Sequence, residues 1–136
     1  MPACLLALLP LAGAAWQDWR TRQIPDWLVV FLAACGILRI TLYGASLWAG
    51  LSGLLLLGLP LLACGLCSPT SMGGGDIKLC AALGFLLGPL MGGVLLLAAL
   101  LAGTIYGAIR RENRVPLAPF LLPFYILILG LELTTC

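Results

Sequence analysis

"MGGGDIKLCAALGFLLGPLMGG", residues 72–93, is the stretch on which the fold turns. Residues 77–109 are apolar almost throughout and read either as one long span or as two spans joined by a sharp turn. The run "GPLMGG" at 88–93 breaks helices, which favours the turn. The segment before it, 77–88, would then be a helix only about 18 Å long, against a hydrocarbon core of roughly 30 Å. It is expected to start below the membrane surface. Working outward with the same criteria, charges and Gly/Pro clusters bound apolar segments at 2–17, 27–43, 45–67, 77–88, 91–109 and 115–131. The expectation is an all-α polytopic membrane protein, a bundle of six transmembrane helices with a short fourth, forming one domain over 1–136 without a separate soluble part.

Composition supports a bilayer as the chain's solvent. Hydrophobic residues make up 62% and charged residues 9%, a balance a water-soluble domain could not keep from water. The net charge of +2 is small and scattered, so nucleic acid is not an expected partner. The chain has no histidine, which removes Ser-His and Cys-His hydrolases, histidine metal sites and histidine proton relays. Cys4, Cys35, Cys64, Cys67, Cys80 and Cys136 lie mostly in apolar stretches and read as packing residues. The single CxxC, Cys64 and Cys67, supplies too few ligands for a closed zinc site, so no metal is expected. The opening "MPACLLALLPLAGAAW" has the apolar core and A-x-A of a signal peptide but no basic n-region, and is read as a retained first span.

Charge placement orients the bundle. With six spans, Arg20, Arg22, Lys78, Arg110, Arg111 and Arg114 fall on connections at one membrane face and Arg39 alone falls opposite. By the positive-inside rule that face is cytoplasmic and both termini lie outside. Trp16, Trp19 and Trp27 flank the first connection as interfacial anchors, with Trp48 serving the other side. Small residues four apart, Gly84 and Gly88, Gly88 and Gly92, Gly103 and Gly107, read as surfaces for close helix packing.

The same topology brings Asp18 and Asp76, 58 positions apart, to one face. Each has a plain structural explanation: Asp18 as a solvated loop residue balancing Arg20 and Arg22, Asp76 as a helix cap behind Gly73, Gly74 and Gly75. Asp26, after Pro25, suits a helix start, and Lys78 reads first as an orientation anchor. Two acids at one boundary nonetheless suggest a paired function.

"DWRTRQIPDWL" at 18–28, "MGGGDIKLCAALGFLLG" at 72–88 and "VPLAPFLLP" at 115–123 together resemble the signature regions of the type IV prepilin leader peptidases, aspartyl intramembrane proteases of the GxGD class. The resemblance implies a catalytic pair at Asp18 and Asp76, motif glycines at Gly73 and Gly75 beside Lys78, and no cofactor. It also implies a prepilin or pilin-like substrate and a multi-pass place in the bacterial inner membrane with the site toward the cytoplasm. The form resembled is the short, peptidase-only one of tight-adherence (Flp-type) pili, without N-methyltransferase activity. One departure is Asp26, where the family usually has Asn after Ile-Pro.

Two neighbouring carboxyls cannot both ionise easily, so one holds a proton and the other acts as base. Helix ends suggest that Asp76, at a positive N-terminus, is the anion and that Asp18, after a negative C-terminus, is neutral. The glycines would let a substrate backbone approach Asp76, and Pro116 and Pro119 would shape the same face. Two other functions use the same acids: an ion or proton translocator, and a non-enzymatic assembly subunit in which both acids only cap or solvate helix ends.

Overall fold

A computed structural model describes residues 2–67, 73–111, 115 and 117–135. Arg114, Pro116 and Cys136 lie outside the described residues. The described chain is helical: α1 (Pro2–Leu6), α2 (Leu8–Thr21), α3 (Asp26–Tyr43), α4 (Leu47–Cys67), α5 (Gly74–Leu87), α6 (Pro89–Arg110) and α7 (Ala118–Thr135). Four of these, Asp26–Tyr43, Leu47–Cys67, Pro89–Arg110 and Ala118–Thr135, are long and apolar enough to cross a membrane. The 14 residues of α5 reach only about 21 Å, in keeping with a short fourth segment. The first segment is interrupted at Ala7, and Pro10 sits in the first turn of α2, where its missing N–H costs little. Next to the interruption, the buried Tyr125 hydroxyl of α7 donates to the Cys4 carbonyl at 2.8 Å.

The chain turns back at Gly88, so 77–109 is two helices rather than one. Gly88 has φ +86, a conformation open to glycine, and Pro89 then starts α6. A Cβ on Gly92 would lie 3.3 Å from the Cα of Gly84. In an unbroken helix those residues would be about 12 Å apart.

Packing is densest along an antiparallel seam between α4 and α5. Gly50 faces Phe85, Gly53 faces Gly84, Gly58 faces Ala81 and Gly65 faces Ile77. A Cβ on Gly53 or Gly84 would collide with the other's backbone, which makes this a true backbone crossing. Without a hydrophobic drive between helices in lipid, such close approach is what secures a short helix. Of the α5 partners in the seam, Gly84 is among the small residues that the sequence marks for close packing; the glycines of α4 are not. At the far end of α5 the Arg39 guanidinium donates to the Leu86 carbonyl, satisfying an orphan acceptor of the helix terminus.

Outside this core the surface is apolar, with Leu55, Leu59, Leu97, Leu101 and Leu127 among many exposed large side chains, as suits contact with acyl chains. Trp16, Trp19, Trp27 and Trp48 are likewise exposed. The cysteines divide. Cys4, Cys35 and Cys80 are buried packing residues, but Cys64 and Cys67 are exposed free thiols. The packing expectation is corrected for that pair, because the seam turns the Gly58 and Gly65 side of α4 inward instead.

Candidate functional site

The ends of six helices gather at one pole of the bundle: the C-termini of α2, α4 and α6 and the N-termini of α3, α5 and α7. Contacts across this pole include Ala118 with Asp18, Lys78 with Asp26, and Tyr106 of α6 with Phe120 of α7. Arg20, Arg22, Lys78, Arg110 and Arg111 belong to these ends, while Arg39 binds the opposite end of α5. The charge asymmetry read from the sequence therefore has a matching arrangement in space.

A cavity of about 420 Å³ opens at this pole, lined by Asp18, Arg22, Gln23, Ile24, Asp26, Gly73, Gly74, Gly75, Asp76 and Lys78. Both acids of the sequence pair border it, brought there from helices that start 66 residues apart. They are also the buried charged residues of the described chain, with 4% of Asp18 and 9% of Asp76 exposed. A solvated-loop reading of Asp18 does not survive that burial.

Asp18 lies in the last turn of α2, which runs past the apolar segment. The helix stops at Arg22, whose left-handed conformation (φ 53) lets its N–H cap the Asp18 carbonyl at 2.9 Å. Ile24 precedes Pro25 and is disfavoured from helix, so the chain crosses extended to α3. The Asp18 carboxylate accepts a hydrogen bond from the Ala118 backbone N–H at 3.3 Å, a link across 100 residues. Ala118 is the first residue of α7, so one of that helix's unpaired N–H groups is aimed at the acid.

Asp76 is arranged differently. Gly73 takes the N-cap position of α5, no side chain caps the helix, and the Asp76 N–H bonds back to the Gly73 carbonyl at 3.1 Å. The side chain thus does not cap, and Oδ1 is buried with no hydrogen-bond partner among the described residues. A buried acceptor of this kind is costly unless it carries a proton or meets a ligand.

Burial raises the pKa of both acids, which stand just beyond the apolar segments. For Asp18 burial acts first, opposed by the Ala118 hydrogen bond and the Arg22 charge. For Asp76 burial acts first and the charge on Asp18 adds to it, pushing the carboxyl up to about 7. The Ala118 N–H and the Arg22 charge favour the anion at Asp18, whereas burial at Asp76 favours the protonated form. This runs against the order expected from helix ends: the Ala118 N–H of α7 acts on Asp18, and burial raises Asp76 despite the dipole of α5.

The motif glycines have distinct roles. A Cβ on Gly75 would sit 3.0 Å from Ile24 Cβ and 3.4 Å from its N, so Gly75 lets α5 lie against the 22–25 connection. Gly73 has an ordinary φ of −76, and a Cβ there would lie 3.9 Å from Asp76 Oδ2, over the acid and in the cavity. A Cβ on Gly74 would meet nothing within 4 Å among the described residues. Lys78 borders the cavity and donates to Asp26 Oδ1 at 2.8 Å. Asp26, expected at a helix start, does open α3, and it is also part of the cavity wall. The Ala118 N–H was missed because a backbone group leaves no residue-type signal. Pro119 lies in the first turn of α7, where proline is at home.

Buried carboxyls bordering one cavity in a helical bundle with membrane-length apolar helices suit the aspartic class of chemistry, in which water is activated without a covalent intermediate. The model of the type IV leader peptidase family matches residues 4–108, and the chain belongs to that family. Membership implies aspartic peptidase activity. Neither a curated protein nor a solved structure matches the chain.

Proposed function

We propose that the protein is a membrane aspartyl endopeptidase that removes the basic leader from type IV, Flp-like prepilins at the cytoplasmic face of the bacterial inner membrane. The observation that carries this reading is the shared cavity of Asp18 and Asp76, two buried carboxyls of unequal proton affinity at the mouth of an apolar bundle. A prepilin joins a short basic leader to an apolar helix. A cavity at the bundle's pole suits a cut at that junction, with the helix in lipid and the leader outside it.

In this mechanism the Asp18 carboxylate takes a proton from a water molecule as its oxygen attacks the scissile carbonyl. The protonated Asp76 donates a hydrogen bond to that carbonyl oxygen and stabilises its developing charge. The tetrahedral intermediate collapses as the C–N bond breaks, and the proton held by Asp18 passes to the leaving amine. The Ala118 N–H keeps Asp18 oriented throughout. Gly73 leaves open the space over Asp76 that an extended substrate backbone would occupy. Both acids open toward the same pole, an arrangement that serves hydrolysis better than transfer of an ion between two membrane faces.

The test is coexpression of a candidate prepilin with the wild type, Asp18→Asn or Asp76→Asn. Processing is expected with the wild type and lost in both variants at unchanged protein levels. Processing that persists in either variant would rule out the pair as catalytic residues. Cysteine labelling at positions 20 and 110 tests orientation, with both expected to react from the cytoplasm.

A further inference from the structure

The helices carrying the two acids scarcely touch one another. α2 packs chiefly on α7, whereas α5 packs on α4 and α3. The bodies of α3 and α6 bridge the two groups deeper in the bundle; at the cavity itself the link between them is the connection 22–25 and the first residue of α3, which line it with both acids. Two contacts tie it to α5. One is Ile24 lying against Gly75. The other is the ion pair of Asp26 and Lys78, 2.8 Å long and closing a sequence gap of 52 residues.

We infer, on the basis of the peptidase reading, that the Asp26–Lys78 pair is a strap that holds the 22–26 connection on the first turns of α5 and so sets the geometry of the catalytic pair. Both are positioning residues. Each lines the cavity with Asp18 and Asp76, and neither is assigned a step in the chemistry. Asp26 suits the part because it opens α3, where the helix N-terminus favours an anion. Lys78 suits it because it follows Asp76 by half a turn on the same helix, so a pull on its ammonium is felt at the acid. The Asp26 carboxylate makes the contact with this lysine an ion pair.

The pair's exposure separates positioning from folding. The Lys78 side chain is 57% exposed and that of Asp26 73%, so the contact adds little to global stability. Its removal leaves the α4–α5 seam and the α2–α7 contact in place. Catalysis is far less tolerant, since misplacement of reacting groups by an ångström can cost about 100-fold in rate.

The experiment compares three full-length variants in membranes or detergent, reading prepilin processing and, independently of substrate, the infrared titration of Asp76. Asp26→Ala with Lys78→Met removes both charges and leaves the local net charge unchanged. It is expected to insert normally, to process about 10- to 100-fold more slowly and to titrate Asp76 nearer the ordinary carboxylate range as Asp18 moves off and water enters. The exchange Asp26→Lys with Lys78→Asp is expected to restore both readouts. Asp26→Asn, which keeps an acceptor, should retain most of the rate.

A doubly neutral variant that titrates Asp76 as the wild type does would overturn the strap, whether or not a substrate is in hand. So would failure of both the exchange and Asp26→Asn to rise above the doubly neutral variant. A wild type inactive on every prepilin would instead count against the peptidase reading, and the titration would still decide the strap.

Discussion

Asp18 and Asp76 border the same cavity but are held by different parts of the bundle. Asp18 belongs to the α2–α7 side, where the Ala118 N–H and the Arg22 charge favour its anion. Asp76 belongs to the α3–α4–α5 side, locked by a glycine seam yet left with a buried oxygen that has no partner among the described residues. The difference shows how a fold can place chemically identical side chains in unequal surroundings: one surface supplies a donor and a positive charge, the other burial and a neighbouring acid. It also shows where rigidity is placed. The unsatisfied acid sits on the helix with the tightest backbone crossing, which supports a group that would otherwise draw in water or move.

The sharpest way to break this contrast is to neutralise either acid. Asp18→Asn and Asp76→Asn should each lower processing by about 10³-fold or more, measured by mass spectrometry of the pilin product. Next in size is the seam: Gly84→Val would force α5 off α4 and is expected to destabilise the protein by about 3 kcal/mol or more, seen as loss of folded material in detergent. Gly53→Val should behave alike.

A smaller effect runs in the opposite sense. The folded-state pKa of Asp76 lies above its unfolded value, so between about 4 and 7 the folded protein binds more protons and its stability declines as pH rises. Asp76→Asn removes that burden. It should be more stable than the wild type at pH 8, on the order of 2 kcal/mol after allowance for hydration at the cavity, with the gain vanishing near pH 4. A thermal melt series across pH checks the sign. Asp18→Asn should gain less, because its environment already favours the anion. Smallest of all is Gly74→Ala, expected within about 0.5 kcal/mol of wild type, since its Cβ would meet nothing.

Much of this was legible in the sequence because it rested on residue types that act alone. The run at 88–93 marked the chain reversal, and Asp18 and Asp76 stood out as acids in an apolar chain at one face. What was not legible depended on contacts between distant segments. The reversal of proton order required knowing that α7 begins beside Asp18, and the partnership of Asp26 with Lys78 required knowing that α3 and α5 begin side by side. The outward turn of Cys64 and Cys67 followed from the α4 glycines facing α5, a choice of face that a uniformly apolar helix does not reveal by periodicity.

Infrared titration of specifically labelled Asp76, in the wild type and in Asp18→Asn, tests the coupling of the two carboxyls most directly. Asp76 should keep its proton up to about pH 7 in the wild type and release it at lower pH once the neighbouring charge is gone. A titration of Asp76 that is unmoved by Asp18→Asn, or that lies in the ordinary carboxylate range in the wild type, would contradict a shared site.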